Sequence, residues 1–190
     1  MAFGYPERIS NQKASTAEIA WGMVMTRAAG ESFEPDLSRA EIPSPNWNQL
    51  ALDIHVAAQT KVPVLITAPP DCAVNVARAI AAFAGAWNTS DVVACDCAGG
   101  DDLGAAVAQS VRGRKPSEVV LLLQEVQALG AADQAAVANL VAAWHAGQGA
   151  PRIISTCSVS LFDRVREGAF DEQLFYRLNA LHIVIRPASH

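Results

Sequence analysis

Glu118-Val119-Val120-Leu121-Leu122-Leu123-Gln124-Glu125 is the stretch on which the architecture turns. The run from Val119 to Leu123 is apolar at every position, so a strand built from it is greasy on both faces. Such a strand must be covered by helices on both sides, which places it in the middle of a parallel sheet. Working outward, residues 131 to 146 set Val137, Leu140, Val141 and Trp144 at i, i+3, i+4 and i+7, a helical stripe that stops at Gly147. Strands over Arg152 to Thr156 and Leu181 to Ile185 follow, with a helix between them. Upstream, a helix over 46 to 60 leads into strand Val62 to Thr67, then a turn and a helix from Val74 to Ala86. Strand Asp91 to Cys95 precedes a short helix carrying Leu103, Ala106, Val107 and Val111. This alternation predicts a three-layer α/β domain with five mainly parallel strands and helices on both faces.

The pattern begins only at Asn46. Before it, Ser15-Thr16-Ala17-Glu18 is a capping box followed by Ala20, Trp21, Val24 and Ala28 at helical spacing, which predicts a helix from Ser15 to Ala29. After Gly30 a polar stretch with Pro35, Pro43 and Pro45 is a connecting loop. Residues 1–45 are therefore an extension and residues 46–190 the α/β core domain. Trp21, Trp47, Trp87 and Trp144 are expected to fill the core at helix faces; an exposed apolar patch bearing them would instead point to a partner.

With 190 residues, 51% of them hydrophobic and 17% charged, the chain has ample apolar material for one buried core. A net charge of −5 lacks the positive excess that draws proteins to the phosphate backbone, which argues against direct nucleic-acid binding. No apolar run reaches the roughly 18 residues of a membrane span, and the start lacks a signal peptide's organisation, so a cytoplasmic protein is expected. Four cysteines (Cys72, Cys95, Cys97, Cys157) in a reducing compartment are expected as free thiols. The Cys95-x-Cys97 pair has no second pair or histidines at partner spacing, so no metal site is expected.

Several segments, in order, resemble the central AAA+ ATPase domain of sigma-54-dependent activators, the bacterial enhancer-binding proteins. Arg152-Ile153-Ile154-Ser155-Thr156, Leu161 and the run Gly168-Ala169-Phe170-Asp171-Glu172-Gln173-Leu174-Phe175-Tyr176-Arg177-Leu178-Asn179 are similar to the family's R-I-I-A-A-T-N-R-D-L…E-G-x-F-R-x-D-L-Y-Y-R-L-N-V stretch. Val64 to Thr67 followed by Val76-Ala77-Arg78-Ala79-Ile80 resembles its V-L-I-x-G-E-S-G-T-G-K-E-L-V-A-R-A-I block. Val93 to Ala98 resembles F-V-A-V-N-C-A, and Leu121 to Val126 resembles the Walker B run L-F-L-D-E-I, with Asp133-Gln134-Ala135 matching the helix that follows. The resemblance covers about residues 46 to 187 and is collinear. It implies a P-loop NTPase-like AAA+ core.

The same resemblance shows what is missing. A P-loop works because glycines let backbone N–H groups converge on the phosphates while a lysine neutralises their charge and a hydroxyl joins Mg²⁺. The matching loop here is Ala68-Pro69-Pro70-Asp71-Cys72-Ala73-Val74-Asn75: no glycine, no lysine, two prolines without N–H donors, and an added carboxylate. It is one residue shorter than the family's, so Ala73 or Val74 stands where the lysine belongs, and no other lysine lies between Lys61 and Lys115. The Walker B aspartate is Gln124, a poor Mg²⁺ ligand, although the catalytic glutamate position survives as Glu125. The sensor asparagine falls at Ser158, and of two family arginines the first is Asp171 and only the second remains, as Arg177. About twenty residues, Gly99 to Ser117, stand where the family carries its sigma-contacting G-A-F-T-G-A loop. The chain closes at His190, soon after Arg186-Pro187, so the helical lid and the DNA-binding helix-turn-helix are expected to be absent.

These losses imply a protein that is not an enzyme and needs no cofactor. The reading is a non-catalytic pseudo-ATPase module for transcription regulation in a bacterium, acting by binding a protein partner: a sigma-54-type AAA+ activator or copies of itself. Its interface candidates are Phe175, Tyr176 and Arg177, the last expected as an exposed charge. Two alternatives stand beside it. One is an atypical nucleotide-binding or weakly ATP-hydrolysing AAA+ protein using Glu125 and Arg177; the other is a structural, self-assembling module.

Overall fold

In the computed structural model the described residues are 47–60, 62–84, 92–113, 115–148 and 150–185. The helix expected at Ser15 to Ala29, the loop to Pro45, Trp21 and Trp87 lie outside them, as does the side chain of Trp47. In chain order the elements are α1 (Trp47–Thr60), β1 (Val64–Thr67), α2 (Pro70–Phe83), β2 (Val92–Asp96), α3 (Leu103–Val111), β3 (Val120–Gln124), α4 (Ala131–His145), β4 (Arg152–Cys157), α5 (Leu161–Arg166), α6 (Glu172–Leu178) and β5 (Leu181–Val184). The five strands form one sheet in the order β2-β3-β4-β1-β5, and every pairing is parallel.

Each strand but the edges is apolar on both faces, as two-sided helical cover demands. Val64, Ile66, Val120, Leu122, Ile154 and Ile183 point to the side covered by α1 and α2, where they meet Leu50, Ile54, Val76 and Ile80. Leu65, Val93, Leu121, Leu123 and Ile153 point to the other, against Leu103 of α3, Val137 and Val141 of α4, Leu161 of α5 and Leu174 and Leu178 of α6. Trp144 is half-buried, with its ring edge-on to His145 at 4.9 Å between centroids.

Beyond shifts of a residue or two at strand ends, three differences from the sequence expectation have a local cause. Helix α2 starts at Pro70, well ahead of Val74, because proline is tolerated at a helix's first position, where its missing N–H has no partner in any case. Pro69 before it sits at φ −52°, ψ 141°, the extended conformation a residue preceding proline prefers. The single helix expected between β4 and β5 is two. Gly168, at φ +72°, ends α5 in a Schellman turn, its N–H donating to Val165 O at 3.0 Å and that of Ala169 to Arg164 O at 2.9 Å. Asp171 then caps α6, its Oδ1 accepting from Leu174 N at 2.6 Å. Finally, Pro116–Glu118 is a single 3₁₀ turn, so β3 begins at Val120 and not at Glu118.

Two buried polar side chains fasten the layers. Gln134, 7% exposed, donates from Nε2 to Leu129 O (2.8 Å) and Ala169 O (3.3 Å), while its Oε1 accepts from Asp171 N (2.8 Å). It thereby pins the α5–α6 turn to the start of α4. Arg152, 6% exposed, enters β4 with its guanidinium donating to Ala57 O and, at 3.4 Å, to Ala58 O. These are carbonyls of the last turn of α1, which have no backbone N–H partner within the helix, and the cation suits the negative end of the helix dipole. Burial pulls the guanidinium pKa down to about 10.

Candidate functional site

The chain runs from β1 to the far edge strand β2, steps back through β3 and β4, then crosses β1 to lay β5 on its other side. In open parallel sheets the crevice outside the carboxyl ends of the strands, where the order reverses, is where ligands bind. Here that edge is formed by Thr67, Asp96, Gln124, Cys157 and Val184, with Thr67 in register with Cys157 and Val184, and Asp96 with Gln124.

The connection from β1 into α2 is only Ala68 and Pro69. Ala68 is buried, and its N–H donates to Cys157 O at 3.1 Å, extending the sheet ladder. Pro69 and Pro70 have no N–H, and that of Ala73 donates to Pro69 O at 2.9 Å. Asp71 and Cys72 are the remaining donors of this segment, and Asp71 sets its own carboxylate on the first turn of α2. The residues read as a phosphate loop, Ala68 to Val74, are thus mostly helix: Pro70, Asp71, Cys72, Ala73 and Val74 belong to α2, with Ala73 wholly buried. Burial pushes the Cys72 thiol up from its ordinary pKa.

At the end of β3, Gln124 is half-buried and its carbonyl accepts from Cys97 N at 3.0 Å. Glu125 follows at φ +55°, ψ +50°, a left-handed conformation that costs a side-chain-bearing residue about 1 kcal/mol or more. Its N–H donates to Thr156 Oγ1 at 3.3 Å, and its Oε2 accepts from Ser158 Oγ at 2.5 Å and from Gln127 Nε2 at 2.5 Å. Gln127 Nε2 also reaches Ser158 Oγ at 3.1 Å. The structure therefore brings the surviving glutamate and the sensor position together, through Gln127 and Thr156, which sequence reasoning does not single out.

Asp96 turns back on the chain, its Oδ1 accepting from Ala98 N (3.1 Å) and Gly99 N (2.9 Å), and a Cβ on Gly99 would stand 2.6 Å from Asp96 Oδ2. Cys97 Sγ approaches Cys95 O at 3.9 Å, and burial first, then the Cys95 neighbour, pushes the Cys97 thiol up to about 12. Across β1, Thr67 Oγ1 lies 2.8 Å from His182 Nε2 and 3.2 Å from Cys157 Sγ. Burial lowers the His182 pKa and raises that of Cys157. Sequence reasoning misses this chain of contacts because its members come from β1, β4 and β5, and only the register brings them together.

The interface candidates separate. Phe175 is in the core at 6% exposure, whereas Tyr176 stands 61% exposed. Arg177, expected as an exposed charge, is half-buried and its Nη1 donates to Ala138 O on α4 at 3.2 Å. Phe162 on α5, 51% exposed, lies with its ring centroid 6.1 Å from that of Phe175, and Tyr176 packs edge-on to Phe175 at 5.3 Å. Phe162 and Tyr176 thus flank the buried Phe175 ring as two exposed aromatic side chains, and Val159, in the loop before α5, is exposed as well. No helix among the described residues is long and apolar enough to cross a membrane.

With this geometry in view, the sigma-54 interaction domain family matches residues 43–187. Among solved structures, NtrX from Brucella abortus in complex with ATP is similar at a TM-score of 0.59 and 24% identity, over 75% of this chain and 37% of that one. The P-loop NTPase domain of the sigma-54 transport activator from E. coli follows at 0.56 and 18%, over 74% of this chain and 96% of that one. A RuvB variant of Thermotoga maritima has the same fold at 0.52 and 15%, over 73% and 43%. No curated protein matches the sequence. The chain spans little more than a third of the NtrX chain, so what it shares is one domain. The parallel five-strand sheet, its helical layers and the match over most of its length agree: this chain belongs to the sigma-54 interaction domain family and carries its AAA+ core.

Proposed function

We propose that this AAA+ domain is a non-catalytic, pseudo-ATPase module that serves transcription regulation by binding a protein partner in the bacterial cytoplasm. The observation that carries the reading is the two-residue connection between β1 and α2. A phosphate loop needs several consecutive N–H groups curving around an anion, with a cation to neutralise it. Ala68-Pro69-Pro70 supplies one N–H, already used by Cys157 O, and Asp71 supplies negative charge in place of lysine. Gln124 offers an amide where Mg²⁺ would want a carboxylate. Glu125 has no bound phosphate to direct a water toward, and two side chains already hold its carboxylate.

The partner reading is supported by the contrast between this loss and the intact scaffold. A sigma-54-type AAA+ activator, or a second copy of the chain, is the partner class that a retained family core suits. The exposure of Tyr176 and Phe162, two aromatic side chains that solvent does not favour, supports them as the surface that would meet it. Two measurements test the proposal. Phosphate release from ATP with Mg²⁺ should be the same for the native chain and for Glu125→Gln; release that the substitution abolishes overturns the non-catalytic reading. Affinity capture from the native extract should recover a AAA+ activator or the chain itself and lose it with Tyr176→Ser; recovery unaffected by that change overturns the assigned surface.

A further inference from the structure

Glu125 combines two features that a leftover hydrolysis residue does not need. Its backbone is in the left-handed region, the single such case among the described non-glycine residues. Its carboxylate is engaged on one oxygen by donors from two different segments, Gln127 in the 3₁₀ turn Val126–Ala128 and Ser158 in the loop after β4. Ser158 in turn accepts from Gln127, and the Glu125 N–H reaches back to Thr156, so four residues share one network of hydrogen bonds.

We propose that Glu125 is a latch that joins the carboxyl ends of β3 and β4, organising the edge of the sheet from within the chain. The left-handed backbone is what turns the carboxylate from the strand line toward Ser158, and the charge-assisted hydrogen bonds offset its strain. Ser158 is followed at once by Val159 and, at the start of α5, Phe162, so the latch also holds the start of the loop that carries these two exposed apolar side chains. The latch stands whether or not nucleotide binds, because every group in it belongs to the chain.

Thermal unfolding of the nucleotide-free full chain tests it through a double-mutant cycle. Ser158→Ala and Glu125→Ala should each lower Tm by about 2–4 °C, and the double variant should fall scarcely further than the larger single effect, because one shared bond is lost. Amide exchange at Val126 to Leu129 should quicken about tenfold in Ser158→Ala, where Glu125 itself is untouched. Should Glu125→Ala fold poorly, Glu125→Gly relieves the backbone, and in that background Ser158→Ala should change nothing. Strictly additive midpoints with unchanged exchange overturn the latch and leave the non-catalytic reading standing. Phosphate release from ATP that Glu125→Gln abolishes, with the midpoints and exchange as expected, overturns that reading alone.

Discussion

Gln134 and His182 illustrate how single residues act in this domain. Gln134 fills its hydrogen-bonding capacity inside the protein, holding Leu129, Ala169 and Asp171 at once. Gln134→Met keeps the volume but strands one N–H and two carbonyls. An orphaned buried polar group costs about 1–3 kcal/mol, so a loss of about 2–4 kcal/mol is expected in urea denaturation, with unchanged slope. His182 acts through pH. Its folded pKa lies below the ordinary value of about 6.5, because burial disfavours the imidazolium, so the unfolded chain takes up the proton first. Stability contributed by neutral His182 is therefore full above pH ~6.5 and declines as pH falls through the lower folded value. The residue is only partly removed from solvent, so the effect is small. Replacing it as His182→Gln should shrink the drop in Tm between about pH 7.5 and 5.5 relative to the native chain; a drop of identical size would show that other groups cause it.

At the scale of elements, the α5–α6 segment divides its aromatic residues by helical phase. Successive positions on a helix differ by about a quarter turn, so Phe175 points into the core while Tyr176 points away. Phe175→Ala should cost about 3–5 kcal/mol, and Tyr176→Ser within about 0.5 kcal/mol, in chemical denaturation. Comparable losses at both positions would contradict this division. The same segment shows what can be read in advance. Gly168 and Asp171 are a stop and a start signal in plain sight, yet the family pattern through them reads as continuous, and it suggests one helix where two form. Pro70 misleads in the opposite way: a pair of prolines suggests a loop, but the second is an acceptable first residue of a helix.

For the whole molecule, the apolar runs at β1, β3 and β4 and the stripe on α4 are legible because a two-sided parallel sheet imposes them directly on the sequence. Strand order, the burial of Arg152 against the end of α1, and the network around Glu125 are not. Each depends on partners tens of residues apart, such as Ser158 and Glu125 at a separation of 33, and no local periodicity encodes them. What is legible at the site is chemistry by subtraction: no lysine, no glycine and no Walker B aspartate in the matching positions. The structure adds that α2 begins almost at the strand end. The central claim, that this core does not use nucleotide, is tested most directly by calorimetric titration of the intact chain with ATP and Mg²⁺. With no converging N–H groups and no cation, less than about 4 kcal/mol of binding is expected, a dissociation constant weaker than about 1 mM; a micromolar constant would contradict the account.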